Sequence, residues 1–123
     1  MDNPNFKYIN DLCRYQRYKT HEVEIGTVPM GGDQPVRIQS MTDTDTKDKE
    51  TTVDQIIRII KEGADYVRIT VRDSEDAESL GEIKKELENR GYSHPLIADI
   101  HFNPRLAEIA AQTISKVRIN PGN

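Results

Sequence analysis

Three helical periodicities, each followed within a few residues by a short apolar run, constrain this chain more than any other feature. Val53, Ile56, Ile57 and Ile60 fall at i, i+3, i+4 and i+7, one face of a helix, and Gly63 is placed to end it. A second helix, capped by Asp73 or Ser74, turns Ala77, Leu80, Ile83, the stem of Lys84 and Leu87 inward and stops at Gly91. A third opens on Asn103-Pro104, an N-cap followed by proline where no N–H is needed, with Leu106, Ala107, Ala110 and Ile114 on its inner face. Apolar runs at 36–41, 66–71, 95–100 and 116–119 separate these helices. Strand, helix and strand in alternation predict right-handed crossovers and a parallel sheet.

The expected fold class is therefore α/β: an N-terminal hairpin over 23–41 with its turn at Pro29-Met30-Gly31-Gly32-Asp33, then four parallel strands and three helices. A doubly wound sheet and the first half of a (β/α)8 TIM barrel both satisfy that order. The barrel is preferred because polar residues recur at strand C-termini, where barrel sites are built. No Gly-x-Gly-x-x-Gly follows a strand, which argues against a dinucleotide fold. A whole barrel takes roughly 250 residues, so 123 residues are expected to be part of a longer protein. Two parts are expected: a polar arm over 1–22, whose Tyr8, Tyr15 and Tyr18 are read as docking it on the domain, and barrel from 23 to 123.

The strand ends carry the functional signal. Buried parallel strands should be nearly all apolar, and an unpaired charge inside one costs several kcal/mol. Here Arg68 and Thr70 share one strand face, Asp99 and His101 another, Arg118 and Asn120 a third. If these faces converge, two guanidiniums, an imidazole and a carboxylate meet at one mouth. A guanidinium fork suits phosphate oxygens. His101 can donate a proton near neutrality, Asp99 can orient it, and Asn120 and Asn123 can offer amide N–H groups. A plain reading stands beside this one: Asp99 with Arg68 or Arg118 as a structural ion pair. Asp43-Thr44-Asp45 is read as a rim loop, lacking the further acidic positions of a calcium loop. His21 and His94 are read as surface residues.

Composition excludes several classes. A net charge of −4 speaks against nonspecific nucleic-acid binding, and no apolar run is long enough to be a membrane helix. The N-terminus shows no secretory pattern, and with one cysteine, Cys13, the chain is placed in the cytoplasm. That lone cysteine also cannot build a cysteine metal site within one copy. Unpaired sheet edges point to a homo-oligomer.

The stretches Arg37-Ile38-Gln39-Ser40-Met41-Thr42, Gly63 to Val71, Pro95 to Phe102 and Arg118-Ile119-Asn120-Pro121-Gly122-Asn123 closely resemble the 4-hydroxy-3-methylbut-2-enyl diphosphate synthases of isoprenoid biosynthesis. Thr44 to Asp48 is similar to the longer, three-domain members. The resemblance implies a TIM barrel binding 2-C-methyl-D-erythritol 2,4-cyclodiphosphate and a separate domain holding a [4Fe-4S] cluster. It also implies flavodoxin or ferredoxin as electron donor. Arg68, His101 and Arg118 match the family's barrel arginines and histidine, with Asp99 and Asn120 beside them; His101 and Asp99 are the catalytic candidates and Arg68, Arg118, Asn120 and Asn123 the substrate-binding ones. The cluster ligands have no counterpart here, so this chain alone is expected not to turn over. The alternatives are a pteroate-synthase-like barrel and a non-catalytic binding half-barrel.

Overall fold

The computed structural model describes residues 11–15 and 18–122. They form β1 (Gln39–Met41), α1 (Lys49–Lys61), β2 (Tyr66–Val71), α2 (Ser74–Asn89), β3 (Leu96–Ile100), α3 (Arg105–Ala111) and β4 (Lys116–Arg118). The four strands are parallel, in the order β1-β2-β3-β4, each joined to the next through one helix. This is the expected succession of four parallel strands and three helices.

The helices begin and end where their chemistry dictates. The Asp48 carboxylate accepts the Thr51 N–H at the start of α1, and Asp73 accepts the Asp76 N–H at 2.9 Å at the start of α2. Gly63 and Gly91, at φ +106° and +88°, take the left-handed position just past each helix end. α3 starts one residue later than its sequence pattern suggests, after Pro104, yet the Asn103 side chain still accepts the Arg105 N–H at 3.0 Å.

Alternation along the strands sorts two faces. Val67, Ile69, Val71, Leu96, Ala98 and Ile100 point to the helix layer and pack with Val53, Ile56, Leu80, Ile83, Leu106 and Ala110, all buried. Lys84 is the exception among the predicted helix-face residues. It is exposed, and its Nζ donates to the Thr113 carbonyl at 2.8 Å, tying α2 to the chain after α3. On the other face, at the N-terminal end of the strands, Tyr66 and Ile97 pack against Ile25 with Val28 and Met30 beside them. The Tyr66 hydroxyl donates to the Val28 carbonyl at 2.5 Å.

That small cluster corrects the expected hairpin. The antiparallel pair is Val23 with Met30, closed by a turn in which Val28 N–H returns to the Ile25 carbonyl. Its reversal lies at Gly26-Thr27, not at 29–33, and the run at 36–41 belongs to the parallel sheet instead. Gly26 permits this turn, with φ +56° and Pro95 against the space a side chain would fill. The sequence pattern favoured Pro-Met-Gly-Gly because two glycines are the stronger local signal. The apolar floor under Tyr66 selected the other turn.

The expected boundary at residue 22 is also crossed by contacts. Gly32 N–H bonds Thr20 Oγ1 at 3.1 Å, the Gln34 amide bonds Glu22 at 2.6 Å, and Lys19 lies 3.2 Å from Asp33. Within the arm, Tyr15 is 90% exposed and so does not dock, and Tyr8 lies outside the described residues.

Candidate functional site

Above the Tyr66–Ile97 floor, on the same sheet face, the next layer is charged. Asp99 pairs across the sheet with Thr70 on one side and Arg118 on the other. Its carboxylate is 1% exposed, and three cationic or imidazole groups gather on it. Arg118 Nη1 donates to Oδ1 at 3.0 Å. Arg68 Nη2 stands 3.1 Å from Oδ2, and His101 Nε2 stands 3.3 Å from the same oxygen. Arg68 starts two residues lower, opposite Ile97, and its long side chain rises to reach the carboxylate. The structure thus brings together four of the six predicted site residues.

Burying a carboxylate is costly unless it is paired and hydrogen-bonded, so the plain ion-pair reading is satisfied here. The charges do not cancel, however. Two guanidiniums against one carboxylate leave one positive charge in excess, and a protonated His101 would add another. Arg68, Arg118 and His101 keep 27%, 37% and 30% of their side chains exposed. Each guanidinium has five N–H donors, and contact with Asp99 occupies only a minority of them. Among the described residues Arg68 Nε is buried without a partner, and the exposed parts of the two forks keep donors to spare. An anion with several oxygens, such as a phosphate, is the ligand this arrangement can hold.

Asn120 stays outside the cluster. It is exposed, and its side-chain oxygen accepts the Gly122 N–H at 3.0 Å, closing a local turn. Asn123 lies outside the described residues. Lys116 was not singled out from the sequence, yet it lies on the Arg118 face, opposite Ile97, and adds a cation there. The alternation that selected Arg118 and Asn120 would have found it two residues earlier. His94 is half-buried rather than a surface residue, its ring 6.5 Å from that of Tyr92.

The rim beside this mouth is the loop between β1 and α1, and its acidic residues are all engaged. Asp43 bonds the Gln55 side chain, and Asp45 accepts from the Lys47 N–H and from Arg72. Thr46 is buried and its hydroxyl donates to the Thr70 carbonyl at 2.7 Å. Lys47 bridges to Asp73 at 2.8 Å, and Arg72 Nε donates to the buried Asp76 at 3.0 Å. The Asp73 hydrogen bond, the largest influence, raises the Lys47 pKa; the reciprocal bond from Lys47 lowers that of Asp73. Asp43 and Asp45 thus brace the rim.

The family model for the GcpE TIM-barrel domain matches residues 20–123. The chain belongs to this family. The 4-hydroxy-3-methylbut-2-en-1-yl diphosphate synthase (flavodoxin) of Parabacteroides distasonis is 54% identical over 109 residues, 89% of this chain. The enzyme of that name from Bacteroides thetaiotaomicron is 53% identical over 113 residues, 92% of this chain. The ferredoxin-dependent, chloroplastic synthase of Oryza sativa subsp. japonica is 47% identical over 120 residues, 98% of this chain. This GcpE barrel segment spans only 18% of the length of the two bacterial relatives and 16% of the rice one. The assignment sets aside the pteroate-synthase-like alternative. Among the described residues of this GcpE segment no helix is long and apolar enough to cross a membrane.

Proposed function

We propose that this chain is the N-terminal part, from about residue 23, of the substrate-binding barrel of a 4-hydroxy-3-methylbut-2-en-1-yl diphosphate synthase, and that it holds the diphosphate of 2-C-methyl-D-erythritol 2,4-cyclodiphosphate. The observation that carries this reading is the buried Asp99 gathering Arg68, Arg118 and His101 at one end of adjacent parallel strands. Asp99 fixes the two forks in advance, so little conformational freedom is lost when phosphate oxygens arrive. Asp99 on Nε2 orients the His101 ring and leaves its other nitrogen for the substrate. Asn120, whose side-chain oxygen is engaged by Gly122 N–H, would have to turn its amide toward the anion to take part.

In the whole protein the reaction opens the cyclic diphosphate and expels a hydroxyl as water, with two electrons from reduced flavodoxin or ferredoxin. The higher identity to flavodoxin-dependent bacterial relatives supports flavodoxin and a cytoplasmic setting. A [4Fe-4S] cluster is usually held by about four thiolates. The residues of this chain do not fit one: Cys13 is its single cysteine and is exposed, and no group of three His, Cys, Asp or Glu side chains is placed to hold a metal ion among the described residues. The cluster of the whole protein is assigned to residues outside this chain, and no electron-transfer step is given to the residues described here. Their work is binding, orientation and charge.

The test is anaerobic turnover of the full-length protein with the cyclic diphosphate and reduced flavodoxin, alongside calorimetry with inorganic diphosphate. Turnover, with both ligands competing for one site, is the expected result. Failure to bind either ligand would overturn the anion-site reading.

A further inference from the structure

Phe102 is the residue immediately after His101, and among the described residues it alone combines a positive φ, +66°, with a side chain. In that region Cβ crowds the following carbonyl, and a bulky residue there is an outlier. The Asn103 N–H donates back to the His101 carbonyl at 2.8 Å. That makes a three-residue turn centred on Phe102, of the rare and strained γ form. Glycine would adopt it without cost, and asparagine with little.

Among the described residues no packing of the Phe102 side chain offsets the strain, since it is 79% exposed. Its ring stands 6.0 Å from the His101 ring, tilted by 53°. It borders a shallow depression of about 190 Å³ at the end of the sheet, shared with Ile100, Pro104, Ile119 and Asn120. A strained backbone, an exposed aromatic ring and a site imidazole therefore coincide at one point. Strained backbone of this kind clusters at ligand contacts.

We propose that Phe102 is a specificity-determining residue, whose ring packs against the carbon skeleton of a ligand while Arg68 and Arg118 hold its diphosphate; this rests on the diphosphate reading above. The ring would then select branched-chain esters of diphosphate over the bare anion. The turn alone requires no ring, and this separates the two roles.

The experiment uses the full-length protein, its Phe102→Gly and Phe102→Asn variants, and two probes: inorganic diphosphate and dimethylallyl diphosphate. Both variants should melt at or above the wild-type temperature, since each relieves the strained turn. Inorganic diphosphate should bind them as it binds the wild type. Dimethylallyl diphosphate should bind about tenfold more weakly, the scale of one lost apolar contact in a pocket. Equal losses for both probes would mean that Phe102 acts by placing His101, and no loss for either would reduce it to a turn residue; both overturn the proposal. A wild-type protein that binds neither probe would refute the diphosphate reading itself.

Discussion

Arg118→Ala separates a ligand-binding arginine from a mere counter-ion. The guanidinium gives one hydrogen bond to Asp99, at 3.0 Å, and remains 37% exposed at the mouth. If its outward N–H groups hold phosphate, removing them costs a charged hydrogen bond, about 1.5–3 kcal/mol. That corresponds to roughly 10- to 150-fold in the dissociation constant for inorganic diphosphate. The folding cost should be smaller than for breaking a wholly buried pair, roughly 1–2 kcal/mol. Asp99 keeps Arg68 at 3.1 Å and His101 at 3.3 Å, and water can reach the space left behind. Arg118→Lys should retain charge but lose the planar fork, giving an intermediate affinity. Calorimetry on the full-length protein gives the binding term and urea unfolding the folding term. An unchanged dissociation constant with a lowered urea midpoint would refute the argument, since Arg118 would then serve only to neutralise Asp99.

Leu80 is fully buried between α2 and the sheet, so Leu80→Ala should destabilise by about 2–5 kcal/mol, read as a urea midpoint shift. Asp73, held below the ordinary carboxylate value of 3.8 mainly by Lys47, contributes stability above that value and loses it as pH falls through its lower folded pKa. An NMR pH titration should therefore place Asp73 below its ordinary value, and Lys47→Met should move it back up. β1 and β4 are the two sheet edges, with Ile38 and Ile119 exposed beside them at 59% and 60%. The 123-residue chain expressed alone should sediment as a dimer or larger at tens of micromolar, whereas a cooperative monomer would show both edges protected.

Local chemistry made much of this protein legible in its sequence. Helix faces at Val53–Ile60 and Ala77–Leu87, the cap at Asp73, and the stops at Gly63 and Gly91 all follow from periodicity and backbone preference within a dozen residues. Strand alternation also paired Asp99 with His101 and Arg118 with Asn120 on their own strands, and the sheet register then brought Arg68, Asp99 and Arg118 to a common face. Tertiary structure decided what depends on distant partners. The N-terminal reversal moved to Gly26-Thr27 because Ile25 and Val28 had to cover Tyr66 and Ile97. Asn120 bonds its own turn instead of the charged cluster. The strain at Phe102 arises where a strand end meets the start of α3. Above all, the single buried carboxylate of Asp99 became the hub for side chains from β2, from β4 and from the residue just past β3. Sequence pattern offered Arg68 or Arg118 as the partner of Asp99; that both guanidiniums and His101 meet it at once depends on sheet register and side-chain reach.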